Sequence, residues 1–288
     1  MIGAIIGDII GSPYESDRTN IKTTDFPLFS EKSKFTDDTI MSIAVFDALD
    51  FCDGLDCLDD EDVVKHQIVD HMIDFAHKYP YAGYGNQFRN WVVYDSAHRP
   101  YNSYGNGSAM RTSCIPYLIE DHTKCLEMAK IVAEVTHNHP EGIKGAQAIT
   151  DMIWMARHGY DKATMKHEIE TKYEYDLNFS LDEIRPYYSK DVTCQGSVPQ
   201  AIVAYLEAES YEDCVRKAVS IGGDSDTIAC MAGGIAEATW GVPYDIVADG
   251  LSRLDSNLLS SAYIFIEKAY GMNTYKSVQE LVENKKKS

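Results

Sequence analysis

The sequence predicts an all-α protein folded as a single compact multi-helix domain over residues 1–288. Three observations predict it. Apolar residues recur at helical spacing in one segment after another, and no stretch sustains the strict alternation of a half-buried strand. No linker rich in Pro, Gly or Ser divides the chain. With 288 residues the core can be large, and 44% apolar with 25% charged residues is an ordinary globular mix that excludes disorder or a fibrous repeat.

The elements follow in order. Over 3–11, Gly3, Gly7 and Gly11 form a small stripe suited to tight helix packing, and Asp8 in their midst requires a buried partner. From Thr39, the residues Met41, Ala44, Val45, Ala48 and Leu49 trace one helix face. The same spacing predicts helices over 62–76, 126–135, 143–156, 198–208, 211–221, 226–238 and 257–270. Ser210 followed by Asp213 predicts a capping box. Lys285, Lys286 and Lys287 read as a frayed, solvated helix end. The loops that stand out are 12–35, 95–109, 186–197 and 222–225.

Lys and Arg total 26 against 45 Asp and Glu, a formal charge of −19. Such a surface repels phosphate backbones and anionic lipid, which argues against membrane binding and nonspecific nucleic-acid binding, while clustered carboxylates suit hard cations. The seven cysteines are odd in number and contain no CxxC pair, no apolar run reaches the length of a membrane span, and the opening residues lack a basic signal region. A monomeric, cytoplasmic protein is expected.

Two segments carry chemistry beyond the needs of a helix cap. Thr36-Asp37-Asp38-Thr39 opens one helix, and Gly222-Gly223-Asp224-Ser225-Asp226-Thr227 opens another most of the chain away. One capping oxygen suffices for a helix start, whereas adjacent acids repel unless a cation lies between them. Brought together, the two segments make an all-oxygen site for Mg²⁺ or Mn²⁺, with enough carboxylates for a pair of ions. Ser103-Tyr104-Gly105-Asn106-Gly107, read as a glycine-rich turn running into a helix, offers backbone N–H groups to a phosphate, and the Tyr104 ring could stack on a base. Tyr79, Tyr81, Tyr84, Phe88, Trp91 and Tyr101 read as packing. His137 and His139 flank a helix entry at Pro140 without a third soft ligand. Glu15 opens a long loop from which a carboxylate could act on a bound substrate.

Taken together, Gly7-Asp8-x-x-Gly11-x-x-x-Glu15, Thr36-Asp37-Asp38-Thr39, Gly105-Asn106-Gly107-x-Ala109-Met110-Arg111, Thr136-His137 and Gly222-Gly223-Asp224-x-Asp226-Thr227 resemble the ADP-ribosylglycohydrolase family, the group of the dinitrogenase-reductase-activating glycohydrolase. The resemblance runs from Gly3 to about Pro243. It implies an all-helical fold with two divalent cations, Mg²⁺ or Mn²⁺, held by Thr36, Asp37, Asp38, Asp224, Asp226 and Thr227. It implies a substrate site at Ser103, Tyr104, Gly105, Asn106, Gly107 and His137, and catalytic roles for Glu15, Asp38 and Asp226. The implied reaction cleaves the bond between ADP-ribose and an acceptor and releases free ADP-ribose. An ADP-ribosylated protein with an arginine linkage stands first, ahead of serine, nucleobase or O-acetyl-ADP-ribose. The segments 16–35 and 158–197 carry no family motif and are expected to set the acceptor.

Two rival readings meet obstacles in the sequence. A phosphatase using Asp224 and Asp226 needs a buried strand before the motif, where this sequence has Gly222-Gly223 after a helical pattern. A non-catalytic ADP-ribose reader or crystallin-like relative should have lost a ligand or Glu15, and none is missing.

Overall fold

The computed structural model describes residues 1–16 and 18–287, and among them are fifteen α-helices and no strand. The first eight are α1 Ile2–Gly11, α2 Asp37–Gly54, α3 Glu61–Lys78, α4 Asn86–Tyr94, α5 Ile115–Leu118, α6 His122–Glu134, α7 Pro140–Arg157 and α8 Lys162–Tyr173. The rest are α9 Leu181–Ile184, α10 Cys194–Glu207, α11 Tyr211–Ser220, α12 Ser225–Trp240, α13 Tyr244–Leu251, α14 Ser256–Tyr270 and α15 Met272–Lys287. One continuous core runs through them, so the all-α expectation holds.

The centre of the molecule is the antiparallel pair α1 and α12. Every residue of α1 is buried, and its glycine stripe lies directly on the α12 backbone. A Cβ on Gly7 would strike the Ala229 carbonyl oxygen, and one on Gly3 would strike that of Gly233. Backbone contact this close fixes the pair end to end: the C-terminus of α1 meets the N-terminus of α12, with Gly11 against Ser225 and Asp226. The start of α1 has no side-chain cap of its own, and Glu237 from α12 accepts from the Ile2 and Gly3 amides at 3.2 and 2.8 Å. Gly7→Ala should therefore cost about 2 kcal/mol, the usual penalty for overpacking a filled core. A urea melt should show the loss with little change in slope.

Several expectations about helix ends need correction. Ser210 does accept from Asp213 N at 3.2 Å, but Asp213 turns to the Glu209 amide at 2.9 Å, so the reciprocal box is not formed. The capping box is at Ser180 and Glu183 instead. The lysine-rich end is not frayed: Lys285 pairs with Asp249 at 2.8 Å, and Lys286 donates to the Leu254 carbonyl at 3.0 Å. The sequence does not anticipate α4, α5, α8, α9 or α13, and of α15 it marks only the lysine-rich end. The apolar face of α8 is only Met165, Ile169 and Tyr173 on an otherwise polar helix, too thin a stripe for periodicity to register.

Candidate active site

Asp8 is the partner-seeking residue of α1, and its partner is the start of α2. Its carboxylate accepts from the Thr36 amide at 2.9 Å, the Thr36 hydroxyl at 2.6 Å, the Thr39 amide at 3.1 Å and the Thr39 hydroxyl at 2.5 Å. A buried acid on one helix thus holds the Thr36–Thr39 turn by four donors, which sets the direction of Asp37 and Asp38. The Thr36 hydroxyl also accepts from Asp38 N at 3.3 Å, leaving both aspartates free of capping duty.

The second acidic turn arrives from the other side. Gly222 and Gly223 both have positive φ, 69° and 76°, which a side chain would disfavour, and a Cβ on Gly223 would run into Tyr188. Asp224 occupies the N-cap position of α12 yet makes no side-chain cap. Its Oδ2 accepts from Asn106 Nδ2 at 2.7 Å, and its Oδ1 faces the Lys190 ammonium at 3.2 Å. The two turns are joined directly: the Thr227 hydroxyl donates to Asp38 Oδ2 at 3.1 Å.

Two groups of carboxylates could each hold a metal ion. Asp8, Asp38 and Asp226 offer oxygens within 4.8 Å of one another, as do Glu15, Asp224 and Asp226. Burial pushes the Asp38 and Asp226 carboxyls well above the ordinary range, with Asp226 adding to the effect on Asp38 and Asp224 to that on Asp226. Burial and the Asp8 charge carry Asp37 up to about 8, and burial carries Asp8 to about 6 against its four hydrogen bonds. Asp38 Oδ1 is buried with no hydrogen-bond partner. An orphaned oxygen inside a set of mutually repelling acids, with no sulfur or imidazole ligand among them, fits a hard divalent cation.

All of these acids except Asp8, which lies behind them, form the floor of a cavity of about 530 Å³. Asp37, Asp38, Asp224, Asp226, Thr227 and Glu15 line it, and so do Ser103, Tyr104, Gly105, Asn106, Gly107 and His137. Thr36 lies behind the floor, turned toward Asp8. The 103–107 turn runs into a three-residue 3-10 turn, Asn106–Ser108, rather than the helix expected from the sequence, so no helix dipole reaches it. It is held by the segment after Tyr188: Asn106 N donates to the Val192 carbonyl at 2.8 Å, and Cys194 N to that of Tyr104 at 2.9 Å.

His137 is 6% exposed, and burial together with the Arg111 charge pulls its imidazole well below the usual value, so it is neutral. Arg111 donates to the Thr136 hydroxyl at 2.9 Å, and that hydroxyl lies 2.7 Å from His137 Nδ1. With the hydroxyl donating to Nδ1, the ring proton is assigned to Nε2, which faces Gly105 and Gly107. The Tyr104 ring is 49% exposed and lies 5.3 Å from that of His139. Tyr84 and Phe88 pack together, as expected, and also line the cavity. Tyr81 was assigned to packing and is not packed: the turn before α4 carries it out to 96% exposure.

Asp8 reads as structural from the sequence, and its four hydrogen bonds to Thr36 and Thr39 agree with that reading. Sequence reasoning missed one member of this site, Lys190. Lys190 carried no signal, since nothing in its neighbourhood marks it out from other surface lysines.

An all-helical chain whose central helix pair brings two acidic turns to the floor of one cavity is the architecture of a class. The family model described as ADP-ribosylglycohydrolase matches residues 1–265, and the chain belongs to that family. Among curated relatives, ADP-ribosylhydrolase ARH3 of Gallus gallus is 27% identical over 322 residues, covering 84% of each chain. The ADP-ribosyl-(dinitrogen reductase) glycohydrolase of Rhodospirillum rubrum is 26% identical over 228 residues, covering 77% of this chain and 74% of its own. A solved structure of an ADP-ribosylglycohydrolase-related protein complex shares the fold, with a TM-score of 0.60 at 18% identity over 98% of this chain and 97% of the other. No helix among the described residues is long and apolar enough to cross a membrane.

Proposed function

We propose that this protein hydrolyses the glycosidic bond between ADP-ribose and an acceptor, reversing ADP-ribosylation, with two divalent cations, Mg²⁺ or Mn²⁺, in its acidic floor. The observation that carries the reading is the meeting of the two acidic turns beneath the 103–107 segment, joined by the Thr227–Asp38 hydrogen bond at 3.1 Å. Thr36, Asp37, Asp38, Asp224, Asp226 and Thr227 would hold the cations. The chemistry such a pair supplies when bound is Lewis acidity toward water and sugar hydroxyls.

The chain's own residues account for the rest. Gly105, Asn106 and Gly107 border the cavity with little side-chain bulk beside the neutral imidazole of His137, which suits a diphosphate and its ribose. The Tyr104 ring at the mouth offers a stacking face for a base. Carboxylates clustered on the floor favour positive charge as it develops at the anomeric carbon. Asp38 and Asp226 are placed to hold or accept a proton from the attacking water, and Glu15 approaches from the edge to orient that water or assist the leaving group. Arginine stands first among acceptors.

The test is release of free ADP-ribose from a panel of arginine, serine, nucleobase and O-acetyl conjugates, with Mg²⁺ or Mn²⁺ and with a chelator. Release should require the cation. Glu15→Ala should lower turnover about 10²-fold, the scale of one acid–base group, while calorimetry still detects cation binding by the remaining acids. Equal release in the presence of the chelator, or binding of ADP-ribose with no release from any conjugate, would contradict the proposal.

A further inference from the structure

Lys190 is the cation already seated at the acidic floor. Its ammonium lies 2.6 Å from Glu15 Oε1 and 3.2 Å from Asp224 Oδ1. This contact is not that of a wandering surface side chain. The Tyr188–Cys194 segment is pinned on both sides of Lys190: the Tyr188 carbonyl accepts from Lys22 Nζ at 2.6 Å, and the Tyr188 hydroxyl donates to the Gly196 carbonyl at 2.6 Å. Beyond it, the Val192 carbonyl accepts from Asn106 N at 2.8 Å. The stem therefore leaves a fixed backbone and reaches over the floor.

The ammonium engages two of the three acids in one metal-capable group, Glu15, Asp224 and Asp226. Among the described residues no Lys or Arg side chain pairs with a member of Asp8, Asp38 or Asp226, the other group. One half of the floor thus carries an internal counterion and the other half does not.

We propose that Lys190 is a resident competitor for one of the two cation positions. An ion on the Asp38 side of Asp226 enters unopposed, whereas an ion beside Glu15 and Asp224 must displace the ammonium. The two positions then differ in affinity and fill in order, and Glu15 stays tied to Lys190 until the second ion arrives. This inference rests on the cation-binding reading above and adds to it the reason for unequal sites.

Mn²⁺ titration of the full chain, followed by the electron paramagnetic resonance of the free ion and by calorimetry, tests it without reference to turnover. The wild type should show a tighter and a weaker class. Lys190→Met and Lys190→Gln should each tighten the weaker class about tenfold and leave the tighter one within about twofold. Lys190→Arg, which keeps the charge, should match the wild type. Unchanged or weakened affinity in both neutral variants overturns the inference while leaving cation binding intact, and so does equal tightening in Lys190→Arg. A wild-type chain that takes up no Mn²⁺ overturns the cation-binding reading itself.

Discussion

Asp38→Asn should reduce ADP-ribose release by about 10³-fold or more and, in the same protein, raise the melting temperature of the cation-free form. The first effect follows from position. Asp38 accepts from Thr227 across the junction of the two acidic turns, and its other oxygen is buried without a partner, so it stands at the one point both turns share. Losing a preorganised electrostatic contact at the reacting centre costs at least two to three orders of magnitude, and loss of a cation ligand adds to that. The second effect distinguishes a functional acid from a structural one. Burial and the neighbouring Asp226, Asp8, Asp37 and Asp224 all oppose ionisation of Asp38. Asparagine preserves the shape and removes the charge. A gain of about 1 kcal/mol, or roughly 2–4 °C in a chain of this size, is expected near pH 8. It should shrink as pH falls, because the raised Asp38 carboxyl takes up its proton on the way down and the charge that asparagine removes is then already gone. Differential scanning calorimetry in the presence of a chelator reads the gain directly. A structural cap would be nearly indifferent to the change, since asparagine caps a helix about as well as aspartate.

Much of this site was legible because oxygen-bearing side chains exceeded what capping requires. Thr36-Asp37-Asp38 and Asp224-Ser225-Asp226 announced themselves by excess, and the glycine stripe of α1 announced the helix pair that unites them. The rest was hidden for identifiable reasons. Register along the chain does not reveal that Gly11 lies against Asp226, which depends on backbone contact between helices more than two hundred residues apart. The 103–107 segment reads locally as a turn entering a helix, but pairing of Tyr104 and Asn106 with the segment around Val192 leaves only a 3-10 turn there. Lys190 acquires meaning solely from that pairing, since the stretch that delivers it to the acids carries no motif. Helix α8 and all but the lysine-rich end of α15 escaped notice because each buries only a few side chains, two in the case of α15, and helical periodicity measures apolar faces rather than helices.

The cation-free protein should lose stability as pH rises from 6.5 to 8, and Mg²⁺ or Mn²⁺ should restore it increasingly over the same range. A group whose folded pKa is raised contributes stability that is complete below its unfolded pKa and is lost as pH climbs through the folded one. Asp8 at about 6 and Asp37 at about 8 behave this way, as do Asp38 and Asp226, whose carboxyls lie well above the ordinary range. His137 works in the opposite sense. Its folded pKa is depressed by burial and by Arg111, so its contribution is complete above about 6.5 and lost as pH falls below that value. The interval from 6.5 to 8 therefore leaves His137 out of the comparison and reads chiefly Asp37, Asp38 and Asp226, Asp8 having given up most of its proton below it. Ionised acids are what a divalent ion binds, so its apparent affinity, and the stabilisation RT ln(1 + [L]/Kd) that it confers, both grow as protons leave. Melting curves with chelator and with cation should consequently diverge with rising pH, the lower curve falling and the gap widening. A chelated protein whose melting temperature stays level or rises between pH 6.5 and 8 would mean that these carboxylates find their compensation within the protein, and a cation-induced shift of equal size at both pH values would place the bound ion away from them.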